Sequence, residues 1–197
     1  GSPDQGKSFA EVALMANLAW NMPAGVEPGL EATAFFDPSN FVYPFGSHVC
    51  TVEVDVETGE VKILRYTALD HSGPHITPMI VQGQIHGGIV QGIGEGLQEI
   101  CIYDDSGQLI TGTMMDYAVP KASQMPAIET DSTYTPSPVN PLGVKGCGEA
   151  GCAGSLTSMM NAINDALSAY GIVHVDMPAT PERVWQAIQD AKRGKAG

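Results

Sequence analysis

The chain has 197 residues, of which 43% are hydrophobic and only 16% charged, and its formal net charge is −13. That acidic balance excludes a surface made for nucleic acid or for anionic membranes. No run reaches the roughly 18 apolar residues of a membrane span. The charged fraction falls below the roughly one quarter usual for a soluble domain, so part of the surface is expected to lie against another polypeptide. The chain opens on Gly-Ser-Pro-Asp rather than Met, as an engineered, processed or fragmentary polypeptide would, and no basic-then-apolar leader pattern follows. The four cysteines, Cys50, Cys101, Cys147 and Cys152, form no C-x-x-C pair and have no histidines at zinc-ligand spacing. They read as free thiols used as small apolar residues in a reducing, cytoplasmic compartment.

In chain order, Ser8-Phe-Ala-Glu11 is a capping box that predicts a helix to about Trp20, ended by Pro23, Gly25, Pro28 and Gly29. Leu30 to Phe36 reads as a strand. His48 to Val56, alternating Val49, Val52 and Val54 with polar neighbours, and Val61 to Asp70 read as a hairpin turned at Glu57-Thr-Gly-Glu60. Asp70 to His75 is expected to be a polar loop, its histidines solvated or bonded to backbone. From Pro78 to Gln98 the period becomes helical, with Ile85, Ile89, Ile93 and Leu97 in phase. Short strands are expected at Glu99–Tyr103, Ala127–Tyr134 and Ile172–Val175, and an extended stretch at Asp116–Pro120. An amphipathic helix carries Leu156, Met159, Ile163 and Leu167, and Thr180-Pro-Glu-Arg183 caps a last one. Irregular alternation around an antiparallel hairpin gives an α+β class with a mixed or antiparallel sheet and packed helices. One lobe is expected over 1–197, with a helix and lead-in (1–40), a core (41–191) and a frayed tail (192–197).

Two glycine-rich stretches carry chemistry. On the predicted helix, Gln84, Gly88, Gly92 and Gly96 stand four apart and form one stripe. Each helical glycine costs about 0.5–1 kcal/mol relative to alanine, a penalty kept where another backbone or a ligand comes close. Gln84 ends the stripe with an amide that both donates and accepts. The other stretch is Pro141-Leu-Gly-Val-Lys-Gly-Cys-Gly-Glu-Ala-Gly-Cys152, in which Glu149 is the lone carboxylate among glycines at a helix start. Such a group serves as a reachable base or, more simply, as a charge favoured by the helix dipole. Gly92-Ile-Gly-Glu-Gly96 lacks the G-x-G-x-x-G spacing and does not follow a strand, so a dinucleotide fingerprint is rejected.

Taken together, Asp70-His-Ser-Gly-Pro-His-Ile-Thr-Pro78, Gly83-Gln-Ile-His-Gly-Gly-Ile-Val-Gln-Gly92, Gly143-Val-Lys-Gly-Cys-Gly-Glu-Ala-Gly151 and Met177-Pro-Ala-Thr-Pro-Glu-Arg-Val-Trp185 resemble the molybdenum hydroxylases. This is the family of xanthine dehydrogenase, aldehyde oxidase and aerobic carbon monoxide dehydrogenase. The likeness is to the C-terminal, molybdopterin-binding part of the large subunit, in its carbon monoxide dehydrogenase-like branch, and runs from about Ser8 to Ala191. The resemblance implies that Glu149 is the catalytic base beside molybdenum. It further implies that Gln84, Lys145, Gly146, Cys147 and Gly148 line the cofactor, with Gln91 on the helix behind them. The protein itself would supply no metal ligand, because the pterin dithiolene holds the molybdenum. The implied cofactor is molybdopterin in its cytosine dinucleotide form, with 2Fe-2S and FAD in partner subunits. The implied reaction is hydroxylation of a small molecule (an aldehyde, an N-heterocycle or carbon monoxide) with oxygen from water. Partial burial of Glu149 is expected to raise its pKa towards the working pH.

The implied partners are the N-terminal part of the molybdenum-binding subunit and the iron–sulfur and flavin subunits. Nothing in the chain resembles that N-terminal part, the glycine-phenylalanine cofactor loop and the cysteine-bearing loop of true carbon monoxide dehydrogenases are absent, and Cys147 and Cys152 stand where small aliphatic or hydroxyl residues are more usual. The chain is therefore expected to hold half of an active site and to be inactive alone. A non-catalytic scaffold or assembly subunit of the same fold remains the alternative.

Overall fold

The computed structural model describes residues 3–194, and the chain divides into two compact units, Gly1–Pro38 and Ser39–Gly197. In the first, helix α1 (Phe9–Leu18) starts at the expected capping box. Ser8 Oγ accepts from the Glu11 amide, and the Glu11 carboxylate accepts from the Ser8 amide. The helix stops two residues before Trp20 because Ala19 turns into the left-handed region. Leu30 to Phe36 is not a strand. All of its residues are exposed, and no strand among the described residues of this unit offers a ladder.

The second unit is a three-stranded sheet, order β1-β2-β3, packed on helices. Strands β1 (Phe45–Val54) and β2 (Val61–His71) form the expected antiparallel hairpin, with a bulge that places both Leu64 and Arg65 outside. The bulge switches the parity of β2, so Ile63, Tyr66, Ala68 and Asp70 all face inwards. On β1 the inward set is His48, Cys50, Val52 and Val54, while Val49, expected on the apolar face, is exposed. Because β2 continues to His71, Asp70 and His71 belong to a strand rather than a loop. Strand β3 (Ile128–Ser132) pairs with β2 in parallel, which requires a long crossover.

That crossover begins with α2 (Pro78–Leu97) and ends in irregular chain. Glu99–Tyr103 is not a strand, since the Ile102 amide donates to Thr111 Oγ1, whose hydroxyl donates to Ile100 O, leaving one bridge between Tyr103 and Leu109. Residues 113–117 form a turn instead of extended chain, the Tyr117 amide reaching Thr113 O. Helix α3 (Ala150–Ser168) follows the glycine loop, and α4 (Pro181–Lys192) starts with Thr180 capping the Arg183 amide and Pro181 at the first position. Ile172–Val175 is irregular because the Val175 amide is taken by the Asn164 side chain of α3. Of the expected tail, Lys192 is helical, and residues 195–197 lie outside the described residues. Tyr66 and Ala68 of β2, Ile85, Ile89 and Ile93 of α2, Met159, Ile163 and Leu167 of α3, and Val184 and Ile188 of α4 form the core. No helix among the described residues is long and apolar enough to cross a membrane.

Candidate functional site

The glycine stripe of α2 is the seam on which α3 lies. A β-carbon at Gly88 would sit 2.7 Å from the Cys152 amide nitrogen, one at Gly92 would sit 2.9 Å from that of Leu156, and one at Gly96 would strike the Met159 methyl. From the other side, Gly151 meets Ile85 O. The contacts advance together along both helices, reaching backbone at Gly88, Gly92 and Gly151 and side chain at Gly96. Gln84 ends this seam, and its Nε2 lies 3.6 Å from where a β-carbon of Gly148 would be. Sequence spacing alone had aligned these four residues; the structure adds that Gln84 faces the glutamate loop.

The loop is tied down from the other side. Gly73 and Gly143 both have φ near +70° and abut, with no space for a side chain at Gly73 against Gly143 O. The Lys145 amide donates to Ser72 O, and its Nζ reaches His71 Nε2 at 3.1 Å and lies 5.1 Å over the Phe45 ring. His71 is buried, its Nδ1 facing Thr133 O at 2.6 Å and its Nε2 facing Thr135 O at 2.7 Å. Its bonds to backbone fit expectation, but the solvated alternative does not. Lys145 is thus committed to His71 and Phe45.

Glu149 occupies the N-cap of α3. Its carbonyl accepts the first intrahelical bond, from the Ala153 amide, but its side chain caps nothing and stands exposed. The carboxyl is therefore uncommitted, at the positive end of a helix whose first amides have no intrahelical partner. The expected partial burial of Glu149 is not found: the residue is exposed, with no segment among the described residues covering it. Instead it opens on a cavity of about 690 Å³ lined also by Tyr43, Phe45, His48, Asp70, Gly148 and Gly154. Gly146 and Gly148 border this space, whereas Cys147 packs against the core. Gln84 and Gln91 are exposed and lie outside the cavity wall. Burial, with the Glu95 and Glu149 carboxylates adding to it, pushes the half-buried Cys152 thiol up, making it a poorer nucleophile. All four cysteines are free.

Behind the cavity runs a hydrogen-bonded chain that sequence reasoning missed. Both Asp70 oxygens lie 3.2 Å from His48 Nε2, His48 Nδ1 lies 2.8 Å from the Tyr66 hydroxyl, and that hydroxyl lies 2.8 Å from Ser158 Oγ. The His48 and Asp70 side chains are almost wholly buried. Burial pushes the Tyr66 phenol up to about 12, against the opposing pull of its Ser158 bond, and Cys50 beside it up to about 11. The signal was present as polar residues on the inward parity of two strands, but the bulge in β2 hid that parity. Among the described residues no three His, Cys, Asp or Glu side chains converge as a metal site.

The residues present suit one wall of a pterin–molybdenum site. An amide from Gln84 stands beside a glycine without a β-carbon, and the Glu149 carboxylate is left unspent. Residues 2–126 match the family model of the molybdopterin cofactor-binding domain. The carbon monoxide dehydrogenase large chain of Hydrogenophaga pseudoflava is 45% identical over 180 residues, 89% of this chain and 22% of that one. The nicotine 6-hydroxylase large subunit of Paenarthrobacter nicotinovorans is 42% identical over 192 residues, 96% and 23% of the two. Among solved structures, reconstituted CO dehydrogenase from Oligotropha carboxidovorans superposes with a TM-score of 0.87 at 36% identity, covering 98% of this chain and 24% of that one. Quinoline 2-oxidoreductase from Pseudomonas putida 86 gives 0.84 at 42% identity, with 96% and 24% covered. The chain thus spans about a quarter of the length of these relatives, and over that span it belongs to the molybdopterin cofactor-binding domain family.

Proposed function

We propose that this chain is one lobe of the large subunit of a molybdenum hydroxylase, with Glu149 as its general base. The observation that carries this reading is the uncapped, exposed carboxyl at the start of α3, next to Gly148 and Gln84 and open to the cavity. A scaffold of the same fold has no need to leave that carboxylate unpartnered. When bound, the cofactor supplies a Lewis-acidic, two-electron redox centre. The Gln84 amide and the amides of Gly146 to Gly148 bind and orient it. Lys145, fixed by His71, holds the loop in register. Glu149 would accept the proton from the oxygen nucleophile derived from water, and the remainder of the large subunit would close over the site and exclude bulk water.

The lobe works as a unit over 1–197, with the cofactor in its cytosine dinucleotide form. Iron–sulfur and flavin subunits remove the electrons. The substrate is an aldehyde, an N-heterocycle or carbon monoxide, in keeping with relatives named for carbon monoxide, nicotine and quinoline. The test is Glu149→Gln in the full-length, assembled protein. Bound molybdenum stays unchanged while turnover drops by about 10²–10⁴-fold, the span of general-base contributions. A Glu149→Gln protein with undiminished turnover overturns the assignment.

A further inference from the structure

We propose that His48 is a positioning residue, which sets the start of α3 and through it the Glu149 carboxyl; this rests on the reading of Glu149 given above. Gly154 lies one turn and a half into α3, and its bare Cα rests on the His48 imidazole. A β-carbon there would sit 2.7 Å from the ring Cγ and Nδ1. With no side chain at that point, α3 is steadied by a group carried on β1. The ring cannot rotate freely, because both nitrogens are engaged. Nε2 faces the two Asp70 oxygens at 3.2 Å, and Nδ1 faces the Tyr66 hydroxyl at 2.8 Å. The Tyr66 ring also meets the imidazole edge to face, with centroids 5.7 Å apart.

The tyrosine that holds His48 also reaches α3 itself, one turn after Gly154, through Ser158 Oγ, which donates to Ser155 O. Asp70 reaches His48 only because Gly46 has no β-carbon where the carboxylate lies. Two strands therefore hold one helix end at two successive turns, by a ring and a hydroxyl joined in one chain. His48 and Asp70 also form part of the wall of the cavity that Glu149 faces. Moving the ring moves the helix end that carries the carboxyl. An error of about 1 Å in such a group costs up to about 10²-fold in rate.

The test compares Gly154→Ala, His48→Ala, the double variant carrying both, and Glu149→Gln, in the full-length protein assembled with its cofactor. Gly154→Ala lowers kcat by roughly ten- to a hundredfold while KM and bound molybdenum stay as in the parent. His48→Ala does the same. In the double variant the methyl fills the space the ring has left, and kcat recovers about tenfold over Gly154→Ala. A second readout needs no turnover. Hydrogen exchange of the Ala150–Ser155 amides in the cofactor-free protein rises about tenfold in each single variant and falls back in the double. If Gly154→Ala does not accumulate, Ser158→Ala, which removes the last hydroxyl of the chain, carries both readouts.

The proposal is overturned if kcat and exchange are unchanged in the single variants, if kcat falls only in step with lost molybdenum, or if the double variant shows the two losses simply multiplied. An active Glu149→Gln protein removes the base assignment but leaves the exchange result to decide whether His48 sets the helix end.

Discussion

At the scale of single residues, Tyr66 ties stability to pH. Its phenol, raised by burial from the usual 10.0 to about 12, makes the folded state hold a proton that the unfolded state releases first. That contribution is whole below pH 10 and is lost as pH rises through about 12, so alkaline unfolding is expected to begin within this window. Tyr66→Phe costs about 1–3 kcal/mol at neutral pH, because His48 Nδ1 loses its partner and Ser158 Oγ keeps only its bond to Ser155 O. The deficit narrows between pH 10 and 12, where only the parent pays for ionising the phenol. Urea unfolding at stepped pH, with phenolate absorbance as the companion signal, measures both effects; a deficit constant across that range contradicts the argument. Cys50, raised to about 11 by the same burial, should resist alkylation at pH 8 while exposed Cys101 reacts.

Among the elements, the seam between α2 and α3 sorts the glycines into two kinds. A methyl at Gly92 meets the Leu156 backbone nitrogen at 2.9 Å and has nowhere to go, so Gly92→Ala should destabilise by about 1–3 kcal/mol, as overpacking does. A methyl at Gly83 meets nothing within 4 Å, so Gly83→Ala should stabilise by about 0.5–1 kcal/mol through helix propensity alone. Paired urea titrations check the opposite signs. The stripe itself was legible because helical spacing is a local property, and the same holds for the hairpin and the three long helices. What escaped was non-local. Whether Ile128–Ser132 pairs in parallel depends on a strand some sixty residues earlier, and whether Ile172–Val175 becomes a strand depends on Asn164 claiming its amide. Glu149 and Gln84 stood out as polar residues amid glycine. His48 and Asp70 did not, since a bulge decides which face they share.

For the molecule as a whole, the low charged fraction now has an address. Val49, Leu64 and Leu69 stand exposed on the outer face of the β1–β2 hairpin, and Glu149 looks into a cavity whose far side is open. We expect the 197-residue chain alone to bind molybdenum cofactor far below one equivalent and to show no turnover. Metal and pterin analysis of the purified chain checks this, and stoichiometric molybdenum on it would show that one lobe suffices.

The bare seam of α2 also bears on how such proteins diverge. Where the two helices touch through main chain, at Gly88, Gly92 and Gly151, an added side chain is penalised whatever the substrate. Novelty is pushed outwards, to the covering polypeptide and the cavity rim. Grafting residues 78–168 into the large chain of a relative should therefore preserve the recipient's choice of substrate, although the transplanted piece brings its own Glu149, Gln84 and glycine loop.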